Sequence, residues 1–94
     1  NVLSVADGIV GMQAALQLYV TLGRISQGGY QQLNAMLGAA LNTINNGQPQ
    51  AARVLLDNVQ VAIRRLETAG ELSKSDAASL RTLVSRFIKS LALP

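Results

Sequence analysis

The side chains able to do chemistry in this 94-residue chain are few and of limited kinds. Its acids are Asp7, Asp57, Glu67, Glu71 and Asp76. Acid–base work needs two carboxylates converging on one pocket. Glu67 and Glu71 are four apart, but Gly70 stands between them and both flank a helix end. Asp7 and Asp76 fall in predicted first helical turns, where capping and the helix dipole account for them. There is no His and no Cys. That removes imidazole bases, thiol nucleophiles, disulfides and the usual zinc ligands together. Gly28-Gly29 lacks the strand and the Lys of a phosphate loop, and no acids fall at calcium-loop spacing. No catalytic, metal or cofactor site is expected, and the chain does not read as an enzyme.

The cations have more to offer. Net charge is +3, and seven of the eight basic residues, all but Arg24, lie in the second half. Arg81 and Lys89 are eight apart and share a helix face. If the outer faces of the last two helices adjoin, Arg64, Arg65, Arg81 and Lys89 make a patch able to meet sulfated sugar or phosphate. The plainer alternatives are a solvated surface and local pairing, such as Arg64 with Glu67 at i, i+3. Aromatic residues are only 3% of the chain and none is interleaved with the cations, so single-stranded nucleic acid is not an expected partner. No recognition-helix signature appears.

Apolar periodicity predicts four helices to carry these groups. The first spans about Ser4 to Leu22, with Ser4 as N-cap and Asp7 completing a capping box. Val5, Ile9, Met12, Leu16, Tyr19 and Val20 form its main stripe. Val10, Leu18 and Leu22 fall on other faces, so this helix is apolar nearly all round. Either it is central and touches both neighbours, or one face is left for a partner or a second copy. Gly11 and Ala15 would let another helix approach, which makes Val10, Gly11, Ala15, Leu18 and Leu22 candidates for self-association. The uncharged run from Gly8 to Gly23 is 16 residues, too short to span a bilayer.

Gly23 closes the first helix, and the second is predicted from Gly29 to Asn45 with Ser26 as cap. Asn45-Asn46-Gly47-Gln48-Pro49 is the clearest break. The third helix runs from Pro49 to Ala69. The fourth follows Ser73, with Asp76 at the third position of a second capping box and Pro94 beyond its last apolar residue. Its stripe is Ala77, Leu80, Leu83, Val84, Phe87, Ile88 and Leu91.

The halves correspond at a spacing of 47 residues. Gly23-Arg24-Ile25-Ser26 returns as Gly70-Glu71-Leu72-Ser73. Ile9 maps to Leu56, Met12 to Val59, Leu33 to Leu80 and Leu37 to Val84. Identity is slight, but the apolar register holds. One all-α domain over residues 1–94 is expected, with hairpins at about 4–45 and 49–92. Short connections favour an up-down four-helix bundle, with an orthogonal array as the competing arrangement. The start at Asn1 rather than Met is expected of a processed or excised piece of something longer.

Leu16-Gln17-Leu18-Tyr19-Val20-Thr21-Leu22-Gly23-Arg24-Ile25-Ser26, Tyr30-Gln31-Gln32-Leu33, Gly47, Ala51-Ala52, Leu56, Gly70-Glu71-Leu72-Ser73 and Asp76-Ala77 together resemble the FIMAH domain. That domain is a helical module found towards the C-terminal end of secreted bacterial enzymes and surface proteins. The Phe-Ile pair of the family falls at Val59-Gln60 here, and its His is absent. The resemblance implies an extracellular or cell-surface accessory role without catalysis. The expected partner is a protein or a glycan. Dimerisation through the first helix is the alternative, and polyanion binding a third reading.

Overall fold

The computed structural model describes residues 2–92, with side chains described from 5 to 91. Four helices make up the described residues: α1 (Val2–Thr21), α2 (Gln27–Asn45), α3 (Pro49–Thr68) and α4 (Lys74–Ala92). A helix of this length runs to about 30 Å. The molecule measures 37 × 19 × 16 Å, so all four helices lie along its long axis. α1 packs on α2 and α4, and α3 packs on the same two. The result is a closed up-down bundle rather than an orthogonal array.

The repeat is exact to the residue in its helix boundaries. α3 begins and ends 47 positions after α1, and α4 does so after α2. Burial follows the same rule. Ile9 and Leu56, Met12 and Val59, Leu16 and Ile63, Leu33 and Leu80, Leu37 and Val84 are buried pair by pair. With almost no aromatic volume available, this aliphatic core relies on interdigitation along the full length of every helix.

Glycines set two of the close approaches. A Cβ on Gly8 would come within 2.5 Å of Phe87 Cε1, so α1 lies directly on the Phe87 ring where the bundle closes. A Cβ on Gly29 would stand 2.9 Å from Ser26 Oγ and 3.0 Å from Leu66 Cδ2. Gly29 is thus required where the start of α2 meets the end of α3.

Four expectations need correction. The first helix begins at Val2, so Ser4 is inside it rather than capping it, and Asp7 is exposed in its second turn. Val5 is already buried, and core contact extends the helix upstream of the polar cap signal. The second helix begins at Gln27 rather than Gly29, because Ser26 caps it by accepting the Gly29 N–H at 3.0 Å. Leu83 sits at the edge of the core, half-buried, while Leu80 and Val84 fill the centre. The third helix ends at Thr68 with Ala69 as its C-cap, and Pro94 lies outside the described residues.

These burials predict unequal costs. Leu56→Ala should lose roughly 2–5 kcal/mol through its cavity. Leu83→Ala, which loses only part of a buried side chain, should lose about 1 kcal/mol. Urea unfolding of both variants checks this, and equal losses would mean the buried faces are misassigned.

Candidate functional site

The two repeated turns meet at one end of the bundle. Gly23 and Gly70 take φ of 74° and 77°, a left-handed conformation that lets each chain turn off its helix without a Cβ clash. A bend follows at Arg24 and at Glu71, and Ile25 then pairs with Leu72 in an isolated antiparallel bridge. The Ser26 N–H donates to the Glu71 carbonyl at 3.0 Å. Both apolar residues of the bridge are buried and seal that end of the core.

Charged side chains lock the turns across the repeat. Arg24 Nε donates to Asp76 Oδ2 at 3.0 Å, and its terminal nitrogen donates to Oδ1, giving a two-pronged pair. Arg24 also lies over the Tyr19 ring, 5.0 Å from its centroid. The Ser26 hydroxyl donates to Glu71 Oε1 at 2.6 Å. Ser73 caps α4 by accepting the Asp76 N–H at 3.2 Å, as a capping box requires. The Asp76 carboxylate does not complete that box, because Arg24 takes it. A groove of about 660 Å³ opens between the turns, yet most of its polar groups are committed to one another. It is a structural lock, and it carries no converging acids free for chemistry.

On α1, Val10, Leu18 and Leu22 are 52%, 56% and 60% exposed. They do not divide between two neighbours, as a central helix would require. With exposed Ala14 they form one i, i+4 ridge along the outer face. Gly11 is exposed beside it, and a Cβ there would meet nothing within 4 Å. Ala15 lies at the edge of this face, half-buried.

The predicted cationic patch is divided. Arg64 and Arg65 border a hollow near the end of α3 with Val61, Thr68 and Ala69. Arg65 also borders the α2 side, with Gln32, Met36 and Asn58. Arg81 lies in a separate groove between α3 and α4, lined by Gln60, Ala78, Thr82 and Ser85. Lys89 is exposed one turn beyond Ser85 on α4. The Arg64–Glu67 pairing is not formed; among the described residues the one ion pair is Arg24–Asp76. The sequence reading also passed over Gln60, which bridges α3 to α4 by donating to Ser85 Oγ at 2.9 Å. Its counterpart Gln13, one of the few identities between repeats, bridges α1 to α2 by donating to the Asn34 carbonyl at 3.3 Å. That identity was the available signal.

Two pseudo-symmetric helical hairpins, locked turn to turn, define a small all-α bundle module. Among the described residues no group of three or more acids could hold a metal ion, and no helix is long and apolar enough to cross a membrane. The FIMAH domain family matches residues 9–89, and the chain belongs to that family. FIMAH domains are small helical accessory domains, and the family is not a known catalytic one. No curated protein and no solved structure matches the chain.

The Arg24–Asp76 lock is testable. Asp76 is only 4% exposed, so removing its partner leaves a buried carboxylate short of a cation. Arg24→Leu should cost roughly 1–3 kcal/mol, with the loss discounted because Arg24 itself is about half exposed. Adding Asp76→Asn should recover part of it. Thermal unfolding of the two single variants and the double variant gives the coupling, and strictly additive losses would show that the pair contributes nothing.

Proposed function

We propose that this domain is a non-catalytic accessory module of a larger secreted or cell-surface protein, and that it docks a partner protein through the outer face of α1. The observation that supports this is the contrast between repeats. Val10, Gly11, Leu18 and Leu22 occupy the positions of Asp57, Asn58, Arg65 and Ala69. Both sets lie on an outer helix surface, yet only the α3 set carries charge. Folding therefore does not demand an apolar surface here, and α1 carries one at a cost in solubility.

Gly11 supports the same reading. Gly8 and Gly29 are explained by Phe87 and Leu66, whereas no described residue crowds Gly11. A mid-helix glycine costs about 1 kcal/mol relative to alanine. Close approach of a partner surface supplies a reason for it. Asp7, Gln17 and Thr21 are also exposed on this side of α1, but the ridge of Val10, Ala14, Leu18 and Leu22 itself offers no hydrogen-bonding side chain, so it suits an apolar protein surface better than a sugar.

A second copy of the chain is the alternative occupant. The ridge Val10, Ala14, Leu18 is self-complementary about Ala14 under an antiparallel two-fold and carries no charge to repel its mate. One helix face falls short of the roughly 800 Å² per partner typical of stable dimers, which favours a different protein.

A photo-crosslinking residue at Leu18 in the full protein should capture a second polypeptide or a neighbouring domain at one defined surface. The same probe at Val61 should not. Equal capture at both positions overturns the reading. Gly11→Ala should raise the stability of the domain by about 1 kcal/mol while weakening the captured contact. Light scattering over a hundredfold concentration range separates the occupants: a dimer that Leu18→Arg dissolves assigns the face to self-association.

A further inference from the structure

Two buried polar atoms among the described residues have no hydrogen-bond partner: Arg53 Nε and Arg81 Nε. An orphaned Nε–H needs a reason, because it has lost hydration without an acceptor to replace it. Arg81 belongs to the α3–α4 groove, and Arg53 lies on α3 beyond its end, seven residues before Gln60, on the face from which Gln60 reaches Ser85. Neither arginine forms an ion pair with a described residue.

The first repeat again shows what folding alone requires. The groove residues Gln60, Arg81 and Ser85 correspond to Gln13, Asn34 and Gly38, and Arg53 and Lys89, beyond the groove, correspond to Ala6 and Asn42. Only the glutamine is kept, and it spans its hairpin in both halves. A neutral groove therefore closes the first hairpin adequately. The second hairpin has gained three cations at positions where the bundle does not need them.

We propose that the α3–α4 groove binds an acidic polysaccharide, independently of the α1 contact. Arg81 and Arg53 receive its anionic groups. Gln60 already donates to Ser85 and Thr82 to the Ala78 carbonyl, so the sugar hydroxyls meet the second amide proton of Gln60, the Ser85 hydroxyl proton and the Thr82 oxygen. The antiparallel register defined by Gln60 and Ser85 sets Arg81 level with position 64 of α3. That is eleven residues from Arg53, or about 16 Å at 1.5 Å per residue. This is the span of a short oligosaccharide. Asp57 lies exposed on the same ridge between the two arginines. A sugar polymer with anionic groups set apart by neutral units suits this pattern better than a densely charged strand. The absence of an exposed aromatic platform disfavours stacked bases.

The test is NMR titration of the domain with a hyaluronan hexasaccharide, a heparin hexasaccharide and a hexathymidylate, each at several salt concentrations. A sugar carrying carboxylate or sulfate should shift the Arg81 and Arg53 Nε–H signals and the Gln60 side-chain amide. Arg81→Gln should weaken binding at least tenfold, while Arg65→Gln, on the α2 side of α3, should change it less than twofold. Whichever hexasaccharide binds more tightly identifies the anionic group. Shifts spread over Arg65, Lys74 and Arg86, or binding that survives Arg81→Gln, overturn the site. Tighter binding of the oligonucleotide than of either sugar overturns the glycan assignment. Unchanged amide spectra elsewhere in Arg81→Gln distinguish a lost contact from a lost fold.

Discussion

The pairing of two equivalent turns holds the halves of this protein in register. Each hairpin alone presents one apolar side and cannot bury it. Joining them through Ile25 and Leu72 brings the four aliphatic stripes into one closed core. The bridge itself is short, and charged side chains reinforce it. Arg24 reaches from the first turn to Asp76 in α4, and Ser26 reaches to Glu71 in the second turn. The donors of this pair come from the first repeat and the acceptors from the second. The turns are alike in backbone but complementary in charge. That asymmetry favours pairing of unlike halves over pairing of like ones.

The duplication also separates what folding demands from what it leaves free. Where residues face the core, both repeats keep apolar side chains at matching positions, although few are identical. Where residues face water, they diverge in opposite directions. α1 is apolar along Val10, Ala14, Leu18 and Leu22, where α3 alternates charged Asp57 and Arg65 with exposed Val61 and Ala69. The α3–α4 groove has become cationic where the α1–α2 groove is neutral. Two equivalent environments in one molecule, bearing different chemistry, serve as internal controls. They place the unexplained residues on two separate surfaces rather than one.

Much of the architecture was legible without coordinates. The apolar period, the glycine-closed turns and the Ser caps located four helices to within a few residues, because each depends on local geometry. The candidate surfaces were only partly legible. Val10, Leu18 and Leu22 stood out as off-stripe residues, but periodicity does not say whether such residues touch a second neighbour. Arg64, Arg65, Arg81 and Lys89 looked like one patch because their helices were known to be adjacent while their rotations were not. The rotation set by core packing sends Arg65 towards α2 and Arg81 towards α4.

The sequence by itself determined the helices, their ends and the two-fold repetition, since these follow from backbone propensity and the 3.6-residue period. Tertiary structure alone decided that Asp76 serves Arg24 rather than its own helix cap, and that Gly8 and Gly29 are fixed by Phe87 and Leu66. It also decided that the guanidinium Nε atoms of Arg53 and Arg81 are buried without partners. Each of these depends on which side chain from a distant segment arrives within a few ångströms. That is settled by how the aliphatic stripes interdigitate, and no local pattern encodes it.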